Sequence, residues 1–219
     1  MIKAILFDLD DTLIDFKGMK KAAIKEAAKS MVRAGLGMPE GAAYSRLDEV
    51  YWKDIESNTA IADFLKSLGK LDDRILAAGI NGYLRGKLRN TKPVDGAVEV
   101  IKKLKKRFKV GVVTDAPRLK AWQRLDLMGM DGLFDAVVAY EDTGRRKPDR
   151  LPFEAALRRL GVKAEEAVMV GDWYERDVEG AKALGMRAVL VGEKCEKEDW
   201  CVNDLKEILS ISFDHNKFN

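Results

Sequence analysis

The sequence predicts an α/β protein with a mainly parallel sheet and an inserted all-helical domain. Short apolar runs of strand length alternate with helical patterns along most of the chain, which is typical of parallel sheets. Between residues 16 and 91 the pattern is helical only, which indicates a second domain inserted into the first. We therefore predict a core of residues 1–15 and 92–219 and a helical domain of residues 16–91.

The first predicted strand is an apolar run from Ile2 to Phe7 that ends in three acids. Buried strands seldom end in this way, because packed carboxylates repel each other and lose hydration. A divalent cation would remove both penalties, whereas a strand-to-helix turn would explain the acids without a metal. Both interpretations stay open for this segment alone. The acids are Asp8, Asp10 and Asp11.

Four helical patterns follow in the predicted inserted domain. Asn58 is suited to cap the third helix, and Asp72 or Asp73 the fourth. The predicted helices span approximately residues 20–34, 42–55, 59–69 and 73–88.

The second part of the core returns to alternating strands and helices. Predicted strands cover residues 110–113, 136–139, 167–170 and 188–191, with an edge strand at 200–203. Predicted helices cover residues 97–107, 117–128 and 153–160, a short segment through 183, and 204–209. The segment from Tyr140 to Asp149 is predicted to be a polar loop.

Polar side chains follow successive strands of the predicted sheet. Ligands gather outside the carboxyl ends of parallel strands, so these side chains are candidates for one site. Each has a structural explanation of its own: Asp172 as a helix N-cap, Thr114 as a turn hydroxyl, Lys147 as a solvated surface lysine. Their joint occurrence favours a functional site. The candidates in chain order are Asp8, Asp10, Thr114, Lys147, Asp172 and Asp177.

In this order the motifs resemble those of the haloacid dehalogenase superfamily. The first motif, Asp-x-Asp-x-Thr, is residues 8–12; the others are Thr114, Lys147-Pro148, and Gly171-Asp172 followed by Asp177. Asp115 stands where many relatives have Asn after the Thr. The resemblance implies a Rossmann-like core with a helical cap of the C1 type, over essentially the whole chain. It is strongest to archaeal phosphatases of this family, some described as acting on glyceraldehyde 3-phosphate.

The resemblance also implies a nucleophile and a metal site. Asp8 would attack phosphorus and carry an aspartyl phosphate, which divides hydrolysis into two easier steps. Mg²⁺ would be held by Asp8, Asp172 and the main-chain carbonyl of Asp10, with Asp177 orienting Asp172 or a bound water. The Asp10 side chain would protonate the leaving oxygen and then activate water.

The same resemblance implies a phosphate cradle. Thr114 would hydrogen-bond a phosphoryl oxygen, and Lys147 would neutralise charge on the phosphate and on Asp8. Backbone N–H groups near Leu9 and Asp115 would complete the cradle.

The inserted domain is expected to act as a lid. Two connections, near residues 14–16 and 90–92, would let it admit substrate and exclude water. Substrate contacts from this domain are not defined by the sequence. The candidates, each with the alternative of a surface or core role, are Lys17, Lys20, Tyr51 and Trp52.

Composition narrows the classes of function. The 39 basic and 36 acidic residues leave a net charge of +3, which does not indicate binding to nucleic acid or membranes. No apolar run approaches the roughly 20 residues of a membrane span, and no cationic leader is recognisable, so a cytoplasmic protein is expected. We expect a small phosphorylated metabolite as the partner and a monomer or weak homodimer.

Histidine and cysteine usage excludes further chemistry. The single histidine, His215, lies in a polar tail, which argues against a Ser-His-Asp triad or a phosphohistidine. Cys195 and Cys201 fit no zinc pattern and are expected to be reduced thiols, with a disulfide left open.

Three alternatives accompany the phosphatase hypothesis. A sugar phosphomutase of the same fold would return the phosphoryl group to its substrate. A dehalogenase needs neither metal nor a second acid, so Asp10 argues against it. A catalytically idle binding module would be expected to lack Asp8 or Lys147, and both are present.

Overall fold

The computed structural model describes residues 1–55, 57–192 and 200–213. The chain divides into two compact units, Met1–Asp15 with Pro93–Asn219 and Phe16–Lys92. Each unit has a buried apolar cluster of its own. Cys195 and His215 lie outside the described residues.

The regular elements follow the predicted alternation closely. The strands are β1 (Ala4–Phe7), β2 (Lys109–Val113), β3 (Ala136–Val138), β4 (Ala167–Gly171), β5 (Arg187–Val191) and β6 (Trp200–Val202). The α-helices are α1 (Phe16–Arg33), α2 (Glu40–Lys53), α3 (Ala60–Ser67), α4 (Asp73–Asn90), α5 (Ala97–Leu104), α6 (Arg118–Leu127), α7 (Tyr140–Thr143), α8 (Arg150–Leu160) and α9 (Gly180–Lys182). A π-helical segment, Tyr174–Glu179, precedes α9, and 3₁₀ turns cover Ala164–Glu166 and Leu205–Ser210.

The described strands form one parallel sheet, which confirms the predicted fold class. Its order is β3-β2-β1-β4-β5-β6. All four residues of β1 are buried, as expected for a central strand that reads as a continuous apolar run.

The strand order changes direction at β1, and this creates the crevice where ligands bind in such sheets. Phe7 pairs with Val112 of β2 on one side and with Val170 of β4 on the other. The residues that follow these three strands therefore emerge side by side at one edge of the sheet.

The helical unit depends on close packing between α1 and α4. Gly79, Gly82 and Gly86 of α4 are buried. A Cβ atom built on Gly86 would lie 2.6 Å from the Cα of Ala23, which is backbone of α1. Only glycine permits this approach, because no side-chain rotation can relieve a clash with backbone.

Three local expectations can be compared with the structure. Asp72, one of the two predicted candidates, caps α4 by accepting a hydrogen bond from the backbone N–H of Ile75 at 3.0 Å. The expected N-cap Asn58 is wrong, since α3 begins after Thr59. The segment predicted as a polar loop contains the short helix α7, whose Asp142 accepts a hydrogen bond from the backbone N–H of Ala139 at 2.7 Å.

The expectation of reduced thiols is wrong for Cys201, whose sulfur is disulfide-bonded. Its position in the edge strand β6 was predicted correctly. No helix in the described part of the chain is long and apolar enough to cross a membrane.

The close packing of α1 and α4 predicts the effect of adding one methyl group. Gly86→Ala should lower the free energy of unfolding by about 1–3 kcal/mol, because the new Cβ meets backbone. Gly41→Ala in α2 is the matched control, since nothing lies within 4 Å of a Cβ there. The control should be neutral or stabilise by up to about 1 kcal/mol. Urea unfolding measures both variants, and equal stabilities would contradict the close packing.

Candidate active site

Asp8 and Asp172 come together because their strands are neighbours in the sheet. Asp8 directly follows β1, and its backbone N–H donates to the carbonyl of Val170 in β4 at 2.8 Å. The Thr12 hydroxyl lies 3.4 Å from Asp8 Oδ2 and 3.3 Å from Asp172 Oδ1. Thr12 belongs to the first motif, but no separate role was expected for it from the sequence.

Lys147 reaches this pair from the loop after β3. Its Nζ atom lies 2.5 Å from Asp8 Oδ1 and 2.5 Å from Asp177 Oδ1. The Lys147 side chain is only 2% exposed, so both ion pairs are removed from solvent. A buried ammonium ion needs such partners, because its lost hydration is otherwise uncompensated.

Burial and charge act against each other on these three groups. Burial raises the pKa of Asp8 to about 7, with Lys147 opposing and Asp177 adding to the rise. Burial likewise raises the pKa of Asp177. For Lys147, burial favours the neutral amine, but the carboxylates of Asp177 and Asp8 outweigh it and raise its pKa. The ammonium is thus held charged at any physiological pH.

Carboxylate oxygens of Asp8, Asp172 and Asp177 lie within 4.8 Å of one another and could hold a metal ion. Three carboxylates against the single ammonium of Lys147 leave an excess of negative charge in a largely buried site. Hard oxygen donors with excess negative charge suit a hard divalent cation such as Mg²⁺.

The glycine of the fourth motif makes room for Asp177. A Cβ atom on Gly171 would lie 2.3 Å from the Asp177 carboxyl carbon, so any larger residue would displace that side chain. Asp177 Oδ2 also accepts a hydrogen bond from the backbone N–H of Trp173 at 3.1 Å. Both Asp177 oxygens are therefore engaged, one by Lys147 and one by this turn.

Asp115 fixes the loop that carries Lys147. Its Oδ1 accepts a hydrogen bond from the Lys147 backbone N–H at 2.9 Å, and its Oδ2 accepts one from Arg176 at 3.2 Å. From the sequence, only the backbone of Asp115 was expected to matter. The contact spans 32 residues along the chain, which explains why local patterns did not reveal it.

Thr114 and Leu9 emerge at the same sheet edge. Thr114 is buried, and its hydroxyl oxygen accepts a hydrogen bond from the Ala116 backbone N–H at 3.1 Å. A hydroxyl that accepts in this way still has its proton to donate. The Leu9 backbone N–H donates to the Asp8 carboxylate, which lowers the pKa of that group in opposition to burial.

The carboxylate of Asp10 is paired with an arginine. Arg124 Nη1 on α6 lies 2.9 Å from Asp10 Oδ1 and 2.6 Å from Asp10 Oδ2. Arg124 was not among the candidates predicted from the sequence. A signal existed, because Arg124 directly precedes Leu125 and follows Ala121 by three residues, on the face of α6 that is buried.

The substrate-contact candidates of the helical unit divide into buried and exposed residues. Lys20 and Tyr51 are buried: Lys20 Nζ donates to the Ile55 carbonyl at 2.6 Å, and the Tyr51 ring stacks on Tyr83 with centroids 5.0 Å apart. Trp52 is exposed and donates to Asp48 at 2.9 Å, and Lys17 is also exposed. The contacts of Lys20 and Tyr51 favour the core role for both.

The raised pKa of Asp8 predicts a pH-dependent stability difference in metal-free protein. The pKa of Asp in an unfolded chain is about 4. The stability that protonated Asp8 contributes to the folded state is therefore fully present below that pH and is lost as the pH rises through about 7. Asp8→Asn should therefore be at least as stable as the wild type near pH 8. Its relative stability should be lower near pH 5.

Thermal unfolding in the presence of a chelator measures this difference. Asp95→Asn is the control, because Asp95 is exposed, has a lowered pKa and should cause no trend between about pH 5 and 8. An Asp8→Asn variant less stable than the wild type near pH 8 would contradict the assignment.

Comparison with known proteins agrees with this geometry. Residues 2–185 match the family model described as haloacid dehalogenase-like hydrolase. The chain is 37% identical, over 96% of its length and 97% of the relative's, to the glyceraldehyde 3-phosphate phosphatase of Methanocaldococcus jannaschii. It is 34% identical, over 96% of its length and 92% of the relative's, to the glyceraldehyde 3-phosphate phosphatase of Pyrococcus furiosus.

A solved structure shares the fold over nearly the whole chain. The crystal structure of a HAD phosphatase from Thermococcus onnurineus superposes with a TM-score of 0.69 at 25% identity, covering 95% of this chain and 97% of the other. The family match spans most of the chain and includes all four motifs. The protein therefore belongs to the haloacid dehalogenase-like hydrolases.

Proposed function

We propose that this protein is a Mg²⁺-dependent phosphatase that hydrolyses a small phosphorylated metabolite through an aspartyl phosphate on Asp8. The observation that carries the proposal is the position of Asp8, whose carboxylate contacts Lys147 at 2.5 Å and lies within 4.8 Å of two further carboxylates. A carboxylate and a phosphate dianion repel each other, so an attack by Asp8 requires positive charge beside it, from the Lys147 ammonium and from a cation that the neighbouring carboxylates would hold.

The donor set supports a metal ion beside Asp8. Asp8, Asp172 and the main-chain carbonyl of Asp10 are the proposed ligands of Mg²⁺, which would neutralise charge between nucleophile and phosphate. Asp177 is proposed to orient Asp172 or a bound water rather than to be a metal ligand itself, because its two oxygens already accept hydrogen bonds from Lys147 and Trp173.

In the first half of the reaction, Asp8 forms a bond to phosphorus as the ester P–O bond breaks. The Asp10 carboxyl group gives its proton to the leaving oxygen, and the alcohol departs. Lys147 and the Thr114 hydroxyl donate hydrogen bonds to the phosphoryl oxygens. Asp115 holds the backbone of Lys147, so the ammonium group is positioned before substrate binds.

In the second half, a water oxygen bonds to phosphorus and the bond from phosphorus to Asp8 breaks. Asp10 accepts the proton of that water, which restores its starting state and releases inorganic phosphate. One carboxyl group thus serves as acid and then as base.

Glyceraldehyde 3-phosphate is the first substrate to test. The curated relatives from Methanocaldococcus jannaschii and Pyrococcus furiosus are named glyceraldehyde 3-phosphate phosphatases, and both align over more than nine-tenths of this chain. We propose a substrate of this size class, acted on in the cytoplasm by a monomer or weak homodimer.

The helical unit is proposed to act as a cap that moves as one body. It is compact in itself and joins the core through two connections, at residues 15–16 and 92–93. Closure of such a unit would exclude water during the first half of the reaction.

A phosphate-release assay tests the proposed function. Glyceraldehyde 3-phosphate and a panel of phosphorylated metabolites should release phosphate only when Mg²⁺ is added. Asp8→Asn should lose more than about a thousandfold in kcat, because the nucleophile is gone. Asp172→Asn should require far more Mg²⁺, whereas the exposed Asp95→Asn should behave like the wild type. Isomerisation of a sugar phosphate without free phosphate would instead reveal a phosphomutase.

Solution scattering tests the cap. Adding Mg²⁺ with a phosphate analogue should decrease the radius of gyration, because a closed enzyme is more compact than an open one. Identical scattering curves with and without the analogue would count against a moving cap.

A further inference from the structure

Arg124 is the largest fully buried side chain among the described residues. It lies on α6 with Ala121 and Leu125, both of which are completely buried. A helix that only had to pack would carry an aliphatic residue at this position, since burying a guanidinium group is costly unless it is paired. The position of Arg124 therefore calls for an explanation beyond packing.

Arg124 is paired with the carboxylate of Asp10. One nitrogen, Nη1, contacts both oxygens of Asp10, at 2.9 and 2.6 Å. The pair is asymmetric, because the side chain of Arg124 is 2% exposed and that of Asp10 is 25% exposed. Arg124 thus holds the carboxylate from the protein interior, while part of Asp10 faces solvent.

The backbone of Asp10 is already constrained by the residues that follow it. Asp11 has a positive φ of 62°, and its backbone N–H donates to the Ile14 carbonyl at 2.8 Å. Asp10 also forms an isolated bridge with Ile14. With the backbone fixed, the direction of the carboxylate depends on its side-chain torsions, and these are what a planar, permanently charged guanidinium can restrict.

We propose that Arg124 is a positioning residue that aims the Asp10 carboxyl group at the oxygen atoms whose protons it transfers. The inference rests on the proposed function, in which Asp10 gives a proton to the leaving oxygen and later takes one from water. A carboxyl group paired in this way is held in one orientation, which is the condition for proton transfer with a defined oxygen atom. Misalignment of Asp10 would impair both halves of the reaction.

Leaving-group dependence separates this role from a merely structural one. p-Nitrophenolate leaves without a proton, whereas phenolate is a poorer leaving group and benefits from protonation. The parameter kcat/KM reports the first half of the reaction, up to release of the phenol. Loss of alignment should therefore lower kcat/KM for phenyl phosphate much more than for p-nitrophenyl phosphate.

The test compares Arg124→Gln with the wild type in saturating Mg²⁺. General acid catalysis contributes roughly 10²–10⁴-fold to the rate. We therefore expect kcat/KM of Arg124→Gln to decrease by a further factor of about 10 to 100 for phenyl phosphate relative to p-nitrophenyl phosphate. With p-nitrophenyl phosphate, kcat and KM should fall together, because only the second half is slowed. Asp10→Asn should give the same pattern.

Two further variants serve as controls. Arg124→Lys keeps the positive charge and should recover part of the loss on phenyl phosphate. Arg118→Gln, on the same helix, removes an exposed arginine paired with Asp142 and should keep the wild-type ratio between the two esters. The ratio is measured within one preparation, so it does not depend on the folded fraction. If Arg124→Gln does not fold, Arg124→Lys takes its place. Its kcat/KM must then still decrease more for phenyl phosphate than for p-nitrophenyl phosphate, although by less than the factor expected for Arg124→Gln.

The outcomes distinguish this inference from the proposed function. If Arg124→Gln decreases kcat/KM equally for both esters, or for neither, the positioning role is overturned and the phosphatase proposal stays intact. A wild-type protein that hydrolyses neither ester nor any phosphorylated metabolite would overturn both. A selective loss on phenyl phosphate, shared by Arg124→Gln and Asp10→Asn, is the result that supports Arg124.

Discussion

The site depends on one buried ammonium ion, that of Lys147, held between two carboxylates. Its contacts with Asp8 and Asp177 at 2.5 Å neutralise charges that could not otherwise be buried together. The remaining excess of negative charge suits a divalent cation, and the same ammonium would attract a phosphate. Structural stability and the proposed phosphoryl transfer therefore rely on the same few charges.

The surrounding fold delivers these charges from distant parts of the chain. The parallel pairing of β1 with β4 brings Asp8 and Asp172 to the same edge of the sheet. Lys147 starts from the loop after β3, two strands away, and Asp115 fastens the backbone of that loop. Gly171 leaves the space that Asp177 fills. Each of these features determines where one charged group of the site lies.

The helical unit follows a different principle. Its stability comes from an apolar cluster and from the close approach of α1 and α4 at glycine positions. Lys20 is held inside this unit by a carbonyl and by the rings of Phe16, Tyr51 and Tyr83, with its Nζ 5.3–5.7 Å from the ring centroids. A unit organised internally in this way can move without rearranging its own packing, which is what the proposed cap requires.

Local patterns in the amino-acid sequence were enough to predict the α/β class and the parallel strands. The same patterns led to the expectation of a helical insertion and of a site built from acids and a lysine at strand ends. Apolar runs, helical periodicity and turn residues act over a few positions. For that reason the cap of α4 could be narrowed to Asp72 or Asp73, of which Asp72 is the cap in the structure. The pairing of polar groups, in contrast, is visible only in the folded chain. Arg124 meets Asp10 across 114 residues and Asp115 meets Lys147 across 32, because the sheet order brings these segments together. No local pattern carries that information, since the free energy of such a pair depends on burial and distance, which exist only after folding.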